Sequence, residues 1–444
     1  MAEFDFSQIA DWLGCDVQVS GTVCGFKQDS KEILPGELFF ALKGEKVDGH
    51  FYLEEIASKG AIGAVVSKKY QGETFGLTLL HVDNVMDSLH RLARVIHNRR
   101  QTRVVGVTGS VGKTTTKEFI ATLLEGKYRV HRTPGNANSQ VGVPLSILNA
   151  EGNEEIFVLE MGMSSPHEIQ KLVAIAPPEV AIVTKVALAH AAFFPDGLEG
   201  IAAAKTEIFS HPMTKIGIYN YQVAQFRSCQ TGSCKKMSYS LNNDAGDSDF
   251  VLCCENNHYY VKEGKETTFP FTLPFSASHL CEDFMGAAAV ARAMGMQWAE
   301  ILPQIGKLTP FKRRFERIER DGIVFINDSY NASALSMKAA LTNLPEPKAG
   351  KKRVAVLGAM KELGIHTEQS HREVTLTALE NVDHLLCLGE EWLSVLDIFK
   401  QGNKPVEYFD HFDALKLRVH ALAEKGDVVL LKGANSKKLW LILE

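Results

Sequence analysis

The sequence predicts an α/β protein of three domains built on parallel sheets. Three observations lead there. The chain is 444 residues long, and beyond roughly 250–300 residues single cores stop growing and chains divide. Short apolar runs alternate with helical patterns almost throughout, the signature of strand–helix–strand units. A buried strand runs at residues 103–108 into a turn with two glycines and then into a helix, the arrangement of a phosphate-binding loop in such a sheet.

Composition removes several classes. With 45% hydrophobic and 23% charged residues the chain can form cores and is not disordered. A net charge of -5 argues against a general nucleic-acid binder, although Lys312-Arg313-Arg314 is a local basic cluster able to hold phosphates. The opening Met1-Ala2-Glu3-Phe4-Asp5-Phe6 is acidic where a secretory signal is basic. The most apolar stretch, 180–194, is interrupted by Lys185 and His190, so no membrane span and a cytoplasmic location are expected. The eight cysteines are scattered without a CxxC pair, which argues against a zinc ribbon or a thioredoxin-type site and favours reduced thiols.

The first region, 1–100, has strand patterns at 37–42, 61–67 and 79–82. It then has a helix whose apolar face is Leu89, Leu92, Ala93 and Ile96. The polar run at 97–101 marks a boundary. The second, 101–310, repeats the strand–helix unit at 103–108, 156–161, 180–184 and 216–219. It becomes hairpin-like over 249–273, with Asn256-Asn257 as the turn, and closes with a helix over 279–295. Leu308-Thr309-Pro310-Phe311 is the second boundary. The third region, 311–444, restarts the alternation at 323–327, 353–358, 384–388 and 427–432, without a GxGxxG spacing in 358–364.

The loop reads Gly109-Ser110-Val111-Gly112-Lys113-Thr114-Thr115, and a helix is predicted over 117–124. Backbone N–H groups of Gly109, Ser110, Gly112 and Thr115 would face the phosphates. Lys113 would neutralise the β- and γ-phosphates, and the Thr114 hydroxyl would hold magnesium. The pattern departs at Val107, where glycine or alanine is usual. This loop signals a nucleoside triphosphate without choosing among ATPase, kinase and ligase.

Three further segments fall where open α/β sheets bind ligands. Glu160 stands at the end of one strand run, His190 follows the next, and Lys205 lies on a helix. With the loop and with Thr133-Pro134-Gly135-Asn136-Ala137-Asn138, they resemble the Mur ligase family of bacterial cell-wall synthesis, and the likeness runs over essentially the whole chain. The resemblance implies an ATP-dependent carboxylate–amine ligase that forms an acyl phosphate. It implies a central P-loop ATPase domain between an N-terminal UDP-sugar domain and a C-terminal Rossmann-like domain. Thr114 and Glu160 would serve one magnesium ion, His190 and Lys205, as its carbamate, a second. Lys113, Lys205 and His190 form the implied catalytic set, and Arg314, Asp328 and Asn331 join the loop in binding ATP. Ser30 and Gly44, in the segment 28–44, and Asn138 are implied on the substrate side.

Within the family, the segments at 327–341 and 356–364 are similar to the member that adds D-alanyl-D-alanine to UDP-N-acetylmuramoyl-tripeptide. Those two molecules are the implied partners, and a monomer is expected. Against the family pattern, Lys185 stands for an asparagine, Leu280 and Asp283 for two more, Ala359 for an aspartate and Asn435 for an arginine. The alternatives are a Mur-type or folylpolyglutamate-type ligase adding one amino acid, and a P-loop ATPase without ligase activity.

Overall fold

The computed structural model describes residues 3–188, 191–241 and 248–444. Near the N-terminus a four-stranded parallel sheet is formed in sequential order by Gly25–Lys27, Glu37–Phe40, Gly63–Ser67 and Thr78–Val82. The helix Val85–Arg99 follows, started by Asn84, whose side chain accepts from the backbone N–H of Met86 and Asp87. Leu89, Leu92, Ala93 and Ile96 are buried, as their helical spacing predicts.

The second sheet has nine strands, and seven parallel ones position the site. The phosphate-loop strand Arg103–Thr108 lies between Ile156–Glu160 and Val180–Val183, parallel to both. The chain goes from this strand to Val130–Arg132 on one side, and from Ile156–Glu160 it crosses to Val180–Val183 on the other, so the strand order reverses around it and the strand ends open a crevice. Beyond Val180–Val183 come Ile216–Asn220, Lys235–Leu241 and Phe250–Glu255, all parallel. Phe250–Glu255 then turns back antiparallel into His258–Glu263. Asn256 and Asn257 both have positive φ, 51° and 64°, the conformation of a tight hairpin turn.

The helix Ser278–Ala293 packs along the phosphate-loop helix Lys113–Leu124. Its other side lies on the sheet, where Gly286 leaves room for neighbouring strands: a Cβ there would lie 2.9 Å from the Tyr239 ring and 3.0 Å from Ile182 Cδ1.

The third sheet runs Glu316–Arg320, Ile323–Asn327, Val428–Lys432, Arg353–Gly358, His384–Leu388 and Val406–Phe409. Only the first pairing is antiparallel. Apolar cores cover both faces of this sheet, and one of them takes in Ala277 and Leu280 from the central region. Asn149 makes the corresponding link to the first sheet: its Oδ1 accepts from Phe26 N and its Nδ2 donates to Phe26 O, both at 2.9 Å.

The phosphate-loop helix begins at Lys113, four residues before the expected 117, because Gly112 in the left-handed region turns the chain straight into helix. Lys235–Leu241 and Val406–Phe409 carry charged or mixed residues that hide the strand pattern, and neighbouring strands select their conformation. Among the described residues, no helix is long and apolar enough to cross a membrane.

Candidate active site

The loop is shaped by two glycines. Gly109 has φ 150° and a Cβ there would lie 1.9 Å from Thr184 Oγ1, while Gly112 has φ 86° and a Cβ would meet Asp283 Oδ1 at 2.4 Å. Ser110 is pinned to the next strand end: its N–H donates to Lys185 O at 2.6 Å, and its hydroxyl donates to Ala187 O at 2.9 Å. Thr184 Oγ1 donates to Val111 O at 2.6 Å. These bonds fix the loop's shape, and they differ from the expectation at one point: the Ser110 N–H is taken up by Lys185 O and does not face the phosphate side free.

The Lys113 ammonium folds back over the loop, donating to Gly109 O at 2.7 Å and Ser110 O at 3.3 Å. Burial lowers its pKa, and Glu160 and Arg314 act in opposite directions on it. Thr114 Oγ1 donates to Glu160 Oε2 at 2.9 Å, and Asn138 Nδ2 donates to Glu160 Oε1 at 2.7 Å. Glu160 is 1% exposed, so this strand-end acid belongs to the interior. Thr115 is buried in the same first helical turn.

Arg314 reaches into this cluster from the start of the third region. Its Nη2 donates to Thr114 Oγ1 at 3.2 Å, and its guanidinium lies 3.9 Å from the centre of the Tyr330 ring. Arg314 Nε is buried without a partner among the described residues. The next residue continues the link, since Phe315 N donates to Asp328 Oδ1 at 3.2 Å. Asp328 is paired with Lys432 at 2.5 Å, and Lys432 Nζ also donates to Asn331 O at 3.2 Å. The Asn331 side chain is exposed and accepts from Ala332 N.

Lys205 lies on the helix Gly197–Thr206 and is 3% exposed, with no ion pair among the described residues. Burial first, and the Lys113 charge second, hold its amine well below the usual lysine range. His190 lies outside the described residues.

Of the residues expected near substrate, Asn138 joins the cluster and the other two stand in the first region. Ser30 is buried and its hydroxyl donates to Glu55 Oε2 at 3.1 Å, while Gly44 forms a turn with Val47.

The departures from the family pattern are accommodated in concert. Lys185 Nζ pairs with Glu282 Oε2 at 2.5 Å, and Glu282 Oε1 accepts from Asn220 Nδ2 at 2.8 Å. Asp283 accepts from Thr116 Oγ1 at 3.1 Å, and its burial, with Glu282 adjacent, pushes its pKa well up. Leu280 joins the apolar core of the third region. Ala359 is fully buried and Asn435 is exposed.

Two participants escape the sequence reading. Lys117 is 0% exposed, donates to Thr133 O at 2.6 Å and Gly135 O at 2.5 Å, and so ties the 133–138 segment to the phosphate-loop helix. Its place one helical turn after Lys113 was the available signal. Tyr330 lies in the 327–341 segment, but only the fold sets its ring against Arg314.

Magnesium prefers oxygen ligands. Thr114 Oγ1 and Glu160 supply such oxygens side by side within the buried cluster, so they fit one ion. Among the described residues, no group of three or more His, Cys, Asp or Glu forms a ready cage. Lys205 contributes an oxygen only as a carbamate.

Residues 107–291 match the Mur ligase middle domain, and residues 313–435 match the Mur ligase, glutamate ligase domain. The chain is 33% identical over 424 residues to the UDP-N-acetylmuramoyl-tripeptide–D-alanyl-D-alanine ligase of Bacillus subtilis, covering 94% of this chain and 91% of that protein. It is 31% identical over 451 residues to the ligase of the same name from Escherichia coli, covering 98% and 96%. The crystal structure of the MurF ligase from Thermotoga maritima in complex with ADP superposes with a TM-score of 0.80 at 29% identity, covering 94% of this chain and 96% of that one.

Proposed function

This chain belongs to the Mur ligase family, and we propose from that premise that it joins D-alanyl-D-alanine to UDP-N-acetylmuramoyl-tripeptide at the expense of ATP, in peptidoglycan precursor synthesis. The observation that carries this reading is similarity along nearly the whole chain to ligases bearing that name.

The reaction has two steps. The terminal carboxylate of the tripeptide attacks the γ-phosphorus of ATP, forming an acyl phosphate and releasing ADP. The amine of the dipeptide then attacks the acyl carbon, expels phosphate, and loses a proton as the amide forms. Lys113 and the loop N–H groups hold the β- and γ-phosphates. Arg314, set by Tyr330, closes over the phosphates from the third region. Asp328 and Asn331 would contact the nucleotide, with Lys432 paired to Asp328 and donating to Asn331 O. Ser30, Gly44 and Asn138 stand on the substrate side. Bound at Thr114 and Glu160, magnesium would neutralise charge on the phosphates.

Lys205 is the residue for a carbamate. A neutral amine adds CO2 and releases one proton, giving an anionic oxygen ligand. Burial and the nearby Lys113 charge both favour the neutral amine over the ammonium, and His190 would complete the second metal position. The units 1–100, 101–310 and 311–444 act as UDP-sugar, ATP and dipeptide domains, in a monomeric cytoplasmic enzyme.

The deciding experiment measures phosphate release with Mg-ATP and UDP-N-acetylmuramoyl-tripeptide, with and without D-alanyl-D-alanine, and weighs the product. Release requiring both substrates, with a UDP-N-acetylmuramoyl-pentapeptide mass, establishes the reading. Release that needs the sugar nucleotide and a single amino acid instead changes the acceptor. Release indifferent to both removes the ligase.

A further inference from the structure

Lys117 has no exposed surface, and its ammonium meets three acceptors, one for each proton. These are Thr133 O at 2.6 Å, Gly135 O at 2.5 Å and Glu118 Oε1 at 2.9 Å. The Phe311 ring, from the start of the third region, lies 5.8 Å from Nζ. Glu118 is shared, since its Oε2 pairs with Arg132 at 3.2 Å. Lysine is almost never buried so completely, because withdrawing its charge from water is costly even when it is paired. An apolar side chain would fill the same space without that cost. What the ammonium adds is a grip on two carbonyls of the segment 133–140, which has neither helix nor strand.

That segment in turn holds Glu160 at two points. Thr133 Oγ1 accepts from Glu160 N at 2.9 Å, and Asn138 Nδ2 donates to Glu160 Oε1 at 2.7 Å. Asn138 is itself fixed beyond the same strand end, where its carbonyl accepts from Gly162 N at 2.8 Å. Gly162 permits this approach, for a Cβ there would lie 2.7 Å from Asn138 Cγ. With Glu160 Oε1 engaged, Oε2 is turned to the Thr114 hydroxyl. Lys117 and Thr114 stand about one turn apart on the phosphate-loop helix. One helix therefore reaches Glu160 twice, directly through Thr114 and indirectly through Lys117 and the 133–138 segment.

We propose that Lys117 is a positioning residue for the metal-binding carboxylate. By clamping Thr133 and Gly135 it presents Thr133 Oγ1 and Asn138 Nδ2 to Glu160, and so aims Glu160 Oε2 at the ion. This rests on the reading that Thr114 and Glu160 hold magnesium. Lys117, being sealed from the site, contacts neither nucleotide nor ion itself.

The test is calorimetric binding of the non-hydrolysable ATP analogue AMP-PNP to the full chain, with and without magnesium. Wild type binds more tightly when magnesium is present. Lys117→Met fills the space but grips neither carbonyl, and Glu118 keeps Arg132 as its partner. This variant retains the magnesium-free affinity, because Lys113 and the loop N–H groups are untouched. It loses about tenfold or more of the magnesium gain, the scale of removing a partner behind a metal ligand. Adding Asn138→Ala costs less than the sum of the two single losses, since both act through one segment. An undiminished magnesium gain in folded Lys117→Met, or fully additive losses, overturns the proposal. Lys117→Gln, a neutral donor, serves if the methionine variant does not fold, and it shows the same selective loss. Failure of both variants to fold assigns Lys117 to the fold alone and also overturns the proposal. A wild type that gains nothing from magnesium removes the metal reading instead, and the proposal with it.

Discussion

Lys185 Nζ lies 2.5 Å from Glu282 Oε2, an ion pair joining the strand end beside the phosphate loop to the helix packed beneath it. Lys185 also accepts Ser110 N–H through its backbone carbonyl, so the pair braces the loop indirectly. Glu282→Gln leaves an uncompensated ammonium in a mostly buried setting and should cost about 2–3 kcal/mol. A double-variant cycle of Lys185→Met and Glu282→Met, followed by urea unfolding, should give a coupling of about 1 kcal/mol or more. Additive single effects would show that the two side chains do not act together.

Asp283 carries a pH signature of the opposite kind to an ordinary surface acid. Burial raises its folded-state pKa well above the ordinary aspartate range, so the folded protein holds this proton more tightly than the unfolded chain. The carboxyl's contribution is complete below the unfolded pKa and is lost as pH rises toward the folded one. Asp283→Asn keeps an acceptor for Thr116 Oγ1 and needs no proton. The variant should be more stable than wild type at neutral pH, with the difference closing toward pH 4. Melting temperatures across that range decide it, and a variant less stable at neutral pH would refute the account.

Arg314 places its guanidinium 3.9 Å over the Tyr330 ring and donates to Thr114 Oγ1. Lysine cannot reproduce a planar, stacked fork. Arg314→Lys should therefore lower kcat/KM for ATP by about 10²–10³, the scale of losing one preorganised charge-stabilising group. Tyr330→Phe keeps the stack and should stay within a few-fold of wild type. Equal losses in the two variants would point to the Tyr330 hydroxyl instead.

Lys205 should make the enzyme responsive to bicarbonate. Stripping CO2 from the buffer should reduce turnover, and restoring bicarbonate should recover it. Lys205→Arg, whose guanidinium stays protonated and cannot form the carbamate, should be nearly inactive and indifferent to bicarbonate. A wild-type rate unmoved by CO2 removal would dispose of the carbamate.

Much of the fold was legible because it rests on local rules. The helix face Leu89, Leu92, Ala93 and Ile96 and the Asn256-Asn257 turn follow from periodicity and from which residues tolerate positive φ. The start of the phosphate-loop helix at Lys113 and the strand Lys235–Leu241 did not follow, since a left-handed glycine and a neighbouring strand decide them.

The sequence by itself determined the chemistry on offer: a phosphate loop at 109–115, a strand-end acid at Glu160, a helical lysine at Lys205 and an arginine at 314. Residue type and spacing along a strand or helix are enough to specify such groups. Only the tertiary structure decided how those groups meet, across gaps of 46 residues from Thr114 to Glu160 and 200 from Thr114 to Arg314. It also decided that Lys205 is buried without a counter-charge among the described residues and that Lys185 answers Glu282. Burial and charge pairing belong to the packed environment, and no single stretch of sequence contains that environment.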